Sequence, residues 1–183
     1  MVKLKKHKIF LVSLICCIAA VAVLVFMPKI YYIFYLRNLP GDWHKAGYTK
    51  IGTYIYYDTK KSLDLCNPMT SDTPSESYEY IKYMKHLEYL ATGFNPVHDL
   101  VFLSELKEMK ELFITVGDYD DISSLSNLEK LEILQLSVEN VTDLSPLYKL
   151  QSLQKLTLTG TDNISEGKIQ KLHDALPNCE INV

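Results

Sequence analysis

The chain has little of what marks several protein classes. Its 183 residues include four cysteines, seven glycines, seven prolines and one tryptophan. So few cysteines cannot staple a disulfide scaffold, and so few Gly and Pro exclude collagen-like and low-complexity chains. Acid is missing altogether before position 42, where six bases stand alone: Lys3, Lys5, Lys6, Lys8, Lys29 and Arg37. The rest of the chain therefore holds the other 13 of the 19 bases against all 22 acids, a balance of about −9. An acidic globular part argues against nucleic acid, whose phosphates call for neutralising Lys and Arg. No H-E-x-x-H, C-x-x-C or G-x-S-x-G motif occurs, and His7, His44, His86, His98 and His173 lack ligand spacing. Six residues separate Gly160 from Gly167, and Ile169 stands where a phosphate loop has Ser or Thr, so no phosphate loop is read there.

What the first forty residues do have is apolar length. Residues 9–27, IFLVSLICCIAAVAVLVFM, run without a charge. At about 1.5 Å per residue a helix of that length matches a hydrocarbon core of roughly 30 Å. The preceding lysines and the following Tyr31, Tyr32 and Tyr35 match a cytoplasmic basic flank and an aromatic interface belt. The expected division is a cytoplasmic tail (1–8), a transmembrane helix with its belt (9–36) that contacts the lipid bilayer, and everything later outside the cell membrane. A signal peptide cut after Ala20-Val21-Ala22 is the rival, but cleavage there leaves VLVFMPKIYYIFYL at the new start. Cys16 and Cys17 read as small apolar residues of the same helix.

Residues 37–72 read as a stalk with a small strand-containing segment. Ile51, Thr53, Ile55 and Tyr57 alternate as one strand face, and Ser62 to Cys66 reads as a weaker strand. An amphipathic helix over 73–87 follows, opened by Thr73, Pro74 and Glu76 as a capping box, with Tyr80, Ile81, Met84 and Leu87 on its apolar face.

From Met84 onward the chain repeats itself without a gap every 22 residues: MKHLEYLATGFNPVHDLVFLSE, LKEMKELFITVGDYDDISSLSN, LEKLEILQLSVENVTDLSPLYK and LQSLQKLTLTGTDNISEGKIQK. Counting each first residue as zero, offset six is Leu90, Leu112, Leu134 and Leu156, and offset nineteen is Leu103, Leu125, Leu147 and Ile169. Offset fifteen is Asp99, Asp121, Asp143 and Ser165, side chains that accept backbone N–H bonds at turns and helix starts. Four such repeats (84–171), with a C-terminal cap (172–183), meet the requirement of about three for a stable stack. In that last segment Cys179 and Ile181 point inward from a final strand, and Leu172 and Leu176 face a closing helix. Cys66 and Cys179 should be unpaired, buried thiols, separated by four strand spacings or nearly 20 Å.

The pattern resembles the leucine-rich repeats of bacterial internalin-like proteins, L-x-x-L-x-x-L-x-L-x-x-N-x-I-x-D-I-x-P-L-x-x-L, which residues 128–150 nearly reproduce. The resemblance implies an α/β solenoid with parallel strands on a concave face and short helices or 3-10 turns on a convex one, here preceded by one transmembrane helix. The motif is silent on ligand. Of the asparagines at offset eleven only Asn95 matches; Gly117, Glu139 and Thr161 replace the others, so those turns need other partners.

Residues alternating with the inward leucines face the concave side: Tyr89, Ala91 and Gly93; Glu111, Phe113 and Thr115; Ile133, Gln135 and Ser137; Lys155, Thr157 and Thr159. Tyr89, Phe113 and Ile133 read as an apolar patch on adjacent strands, ringed by polar groups as at protein-recognition surfaces. The ligand-binding residues read from this pattern are Tyr89, Glu111, Phe113, Thr115, Ile133, Gln135, Lys155 and Thr157. The leading expectation is a single-pass, non-catalytic module that binds a protein or peptide, without cofactor or metal. The alternative is an envelope assembly component whose repeats serve as a spacer, with the patch covered by residues 41–72. Asp118, Asp120 and Asp121 offer too few oxygens for calcium, and the sequons at Asn140 and Asn163 lose their meaning in a bacterial protein.

Overall fold

The structure, a computed structural model, describes residues 47–52, 54–66, 75–94 and 96–183. The chain divides into two units, Met1–Trp43 and His44–Val183, and every described residue belongs to the second. The apolar run 9–27, the capping residues Thr73 and Pro74, and Asn95 lie outside the described residues.

Six short parallel strands stack in chain order: β3 (Ser62–Asp64), β4 (Tyr89–Ala91), β5 (Glu111–Ile114), β6 (Ile133–Ser137), β7 (Lys155–Thr159) and β8 (Glu180–Asn182). Leu63, Leu90, Leu112, Leu134, Leu156 and Ile181 share one register row. All but Ile181 are fully buried, and Ile181 packs against the core half-covered. This is a leucine-rich-repeat solenoid, and it is longer than the four aligned repeats by one turn at each end. Register partners lie 22 residues apart from Tyr89 to Lys155, but 27 apart from Ser62 to Tyr89 and 25 apart from Lys155 to Glu180. The two end turns are thus longer than the repeat by five and three residues.

The convex wall follows a period of three. Leu100, Leu103, Leu106, Met109 and Leu112 are all buried, as are Ile122, Leu125, Leu128, Leu131 and Leu134 one turn later. Successive backbone bonds link them three residues at a time: Leu103 N–H to Leu100, Leu106 to Leu103 and Met109 to Leu106, at 3.0, 3.0 and 3.1 Å. A 3-10 helix has three residues per turn and eclipses i with i+3, so a spacing of three keeps every apolar side chain on one wall. The 3-10 segments are Val101–Glu105, Ser123–Asn127 and Ser145–Lys149. Each opens on its offset-fifteen aspartate, which accepts the N–H two residues on: Asp99 from Val101, Asp121 from Ser123 and Asp143 from Ser145, at 3.0, 2.7 and 2.9 Å.

The same period corrects the expected N-terminal cap. Ser75–Tyr83 is a 3-10 helix rather than an α-helix. Its buried face is Tyr78, Ile81, Met84 and Leu87, three apart, while Tyr80, expected inside from an α-helical period, is only half-covered. This segment packs against the next 3-10 segment, Val101–Glu105. The expected strand from Ile51 to Tyr57 is instead an antiparallel hairpin of β1 (Tyr48–Ile51) and β2 (Tyr54–Tyr57), with Ile51 paired to Tyr54. Gly52 takes a φ of +58°, which lets the chain reverse where alternation alone suggests it runs on. The hairpin sends Ile51 into the core and leaves Tyr57 65% exposed, so these two do not share a face; Thr53 lies outside the described residues. At the other end the closing helix, α1 (Glu166–Ala175), buries Leu172, and Leu176 just beyond it is buried too.

The cysteines need two corrections. Cys66 is exposed rather than buried, because it follows β3 at the edge of the stack, and Cys179 is half-covered. Both thiols are free. With β3 first and β8 sixth, five strand spacings of about 4.8 Å part them rather than four.

Where the repeat pattern loses its asparagines, tyrosine and glycine take over. Tyr119 occupies the repeat's usual Ile site at offset thirteen, is 4% exposed, and donates its hydroxyl to the Ser137 carbonyl at 2.7 Å. Burial pushes that phenol well above its usual range. Its ring fills the space over Gly117, where a Cβ would lie 2.2 Å from a Tyr119 ring carbon. Glycine at offset eleven and tyrosine at offset thirteen are thus one compensating pair. In the first turn Tyr78 donates to the Thr92 carbonyl at 2.7 Å. In the last turn the exposed Asn163 instead reaches back and donates its side-chain N–H to the Glu139 carbonyl, at 3.0 Å.

Candidate recognition face

Strand alternation turns one side chain in two away from the core, and the register arranges the outward ones in two rows. One row reads Ser62, Tyr89, Glu111, Ile133, Lys155, Glu180, and the other Asp64, Ala91, Phe113, Gln135, Thr157, Asn182. Tyr89, Glu111, Phe113, Ile133, Gln135 and Thr157 are half-covered, Lys155 is exposed, and Thr115 is exposed just past β5. The expected site residues thus come together on one face. Ala91, Gly93 and Ser137, three further positions expected on this side, are buried and not open to solvent. At Gly93 the cause is a close approach: a Cβ there would lie 2.4 Å from the Leu65 carbonyl oxygen, and φ is +78°.

The apolar patch is arranged diagonally and not in one line. Tyr89 and Ile133 share a row, while Phe113 sits in the next. Phe113 has Ala91 as its direct neighbour, and that small side chain leaves room for the two rings to meet. Their centroids are 5.5 Å apart and the planes tilt by 42°. Tilted pairs at this separation suit the ring quadrupoles and contribute about 0.5–1.5 kcal/mol beyond area burial.

Ser62, Asp64, Glu180 and Asn182 also belong to this face and were missed in the sequence, because β3 and β8 lie outside the 22-residue frame. The usable signal was the x-Leu-x-Leu alternation of Ser62 to Leu65, which matches the strand segment of each repeat. The described part of residues 41–72 does other work. Its β1–β2 hairpin packs through β1 on the 75–83 segment, and β3 extends the sheet.

Charge is distributed unevenly. At the strand-entry edge Glu88 accepts from Lys110 at 2.7 Å and from Lys61 at 2.6 Å, and these bonds hold its carboxyl down to about 2. Lys130 similarly holds Glu108 low. On the open face Asp64 accepts the Cys66 N–H at 2.8 Å. Burial of Tyr89 raises its phenol, and the negative groups Asp64, Cys66 and Glu111 raise it further. Asp121 accepts from the Ser123 N–H and hydroxyl, and Asp118 bonds His98. Among the described residues no group of three or more His, Cys, Asp or Glu side chains could hold a metal ion.

Solved structures resemble this chain. An internalin (inlF) of Listeria monocytogenes str. 4b F2365 superposes with a TM-score of 0.56 at 26% identity, over 71% of this chain and 37% of its own. An internalin C2 from the same strain gives 0.42 at 33% identity, covering 44% of this chain and 36% of the other. A leucine-rich-repeat protein of Leptospira interrogans gives 0.43 at 22%, covering 57% of this chain and 33% of the other. The chain thus spans little more than a third of the length of these proteins. No protein-family model and no curated protein matches it. The fold is that of an internalin-like leucine-rich-repeat protein, as the superposition with the first of these structures shows.

Proposed function

We propose that the open sheet face binds a protein or peptide, without catalysis. One observation carries the reading: the Tyr89–Phe113 pair stands on the outward rows, where the solenoid asks nothing of the side chain. Inward leucines fold the stack. Apolar rings on the other side leave apolar area in water unless a partner covers it, and buried aromatics are the residues that dominate interface energetics. The outward charged groups Asp64, Glu111, Lys155 and Glu180 sit on four different strands, with no hydrogen bond among them to suggest a nucleophile and its base.

The test is Phe113→Ala in the full chain, measuring both capture of partners from extracts of the source organism and the thermal midpoint. Capture should weaken by about 2 kcal/mol or more, roughly thirty-fold. The midpoint should fall little, because the ring is only half-covered and loses mainly its contact with Tyr89. A drop of many degrees with capture unchanged would make the patch internal packing and the repeats a spacer.

The same reading makes the chain a single-pass protein of the cell membrane, with residues 9–27 spanning, the amino terminus in the cytoplasm and the repeats outside. Its support is the charge-free run with lysines on one side and tyrosines on the other. Among the described residues no helix is long and apolar enough to cross a membrane, so the anchor rests on the sequence. Full-length protein is expected to stay with membranes through a carbonate wash, and its repeats to be cut by protease added to wall-stripped cells. Recovery of a soluble form beginning near Val23 would contradict this.

A further inference from the structure

Three carboxylates off the open face are matched with lysines, whereas Asp64, Glu111 and Glu180 on the open face have no ion pair among the described residues. Glu88, Glu105 and Glu108 each meet a lysine Nζ within 3.4 Å. Asp64 and Glu111 have no ion-pair partner among the described residues, although Asp64 spends one oxygen on the Cys66 N–H. The register sets Glu111 directly beside Tyr89, and Asp64 in the row of Phe113 with only Ala91 between them. Two unmatched negative charges therefore flank two tilted rings whose faces are themselves electronegative. Lys155 follows two strands beyond Glu111, and Glu180 stands beside it on β8, away from the two rings.

We propose that Asp64, Tyr89, Glu111 and Phe113 form the seat for a cationic side chain, arginine in preference to lysine, carried by an extended peptide segment of the partner. This rests on the recognition reading of the face. A cation over a ring within about 6 Å is attracted by the ring quadrupole. Guanidinium serves better than ammonium here, since it stacks flat on a ring while its fork of donors reaches a carboxylate in the same plane. The surrounding acidity of residues 42–183, about −9 from 13 bases against 22 acids, draws such a segment in.

The experiment presents a random decapeptide phage library to the full chain in nonionic micelles and sequences what is retained. Four proteins are compared: wild type, Phe113→Ala, the double variant Asp64→Asn with Glu111→Gln, and Glu129→Gln, an exposed acid outside the strands. Asparagine at 64 keeps an oxygen for the Cys66 N–H and glutamine at 111 keeps the shape, so an unchanged thermal midpoint certifies the double variant. Peptides retained by wild type should be enriched in basic residues about five-fold over input, with Arg ahead of Lys. Glu129→Gln should leave that enrichment intact and the double variant should abolish it. Enrichment that survives the double variant, or that Glu129→Gln reduces equally, would overturn the seat in favour of diffuse acidity. Retained peptides that are not basic but depend on Phe113 would overturn the seat and leave the recognition face standing. Retention indifferent to Phe113→Ala would remove both.

Discussion

Leu134→Ala is expected to cost about 2–5 kcal/mol, read as a lowered midpoint in chemical or thermal unfolding. Leu134 lies at the centre of β6, is fully buried, and is held between Leu112 and Leu156 in the inward row. Truncation leaves a cavity that the flanking turns cannot close, since each is fixed by its own register and by the 3-10 bonds behind it. Gln135→Ala, one residue on and facing outward, should stay within about 0.5 kcal/mol of wild type. Comparable losses at the two positions would mean that the strand frame is displaced by one residue, which would turn every side chain to the opposite face.

The second large effect belongs to the glycine–tyrosine pair. Tyr119→Ala should cost about 3–5 kcal/mol, since it empties a buried ring and leaves the Ser137 carbonyl without its donor. Gly117→Asn restores the residue most common at that offset in the repeat family, yet it should destabilise by about 1–3 kcal/mol, because its Cβ falls on the Tyr119 ring. In the Tyr119→Ala background the same Asn should cost far less. A double-mutant cycle in denaturant measures the difference, and additive losses would show that the two sites do not compensate.

The sequence is clearest where spacing alone carries the structure. The 22-residue frame puts Leu90, Leu112, Leu134 and Leu156 in one register row because each residue's neighbour in the stack is its own copy. It also places Asp99, Asp121 and Asp143 at the 3-10 starts. It fails at the ends, where the turns stretch to 27 and 25 residues, so β3 and β8 fall out of alignment and with them Asp64 and Asn182. The hairpin is hidden in the sequence because Gly52 reverses the chain inside an alternating run that looks continuous. A period of 3.6 residues per turn displaces the cap face, because the buried set from Tyr78 to Leu90 advances by three. On the open face the eight expected residues were legible from alternation. The diagonal meeting of Tyr89 and Phe113 was not, because it depends on the small neighbour Ala91 and on a register that only the stacked strands define.

Whether a partner covers that meeting place can be read by placing a benzoyl-phenylalanine photo-crosslinker at position 113 of the full chain in living cells, with the convex residue Tyr148 as the control position. The account predicts an adduct of higher mass from position 113 and none from position 148. A crosslink from position 113 that closes only within the chain, onto residues 41–46 or 67–74, would contradict it and make the face an internal contact.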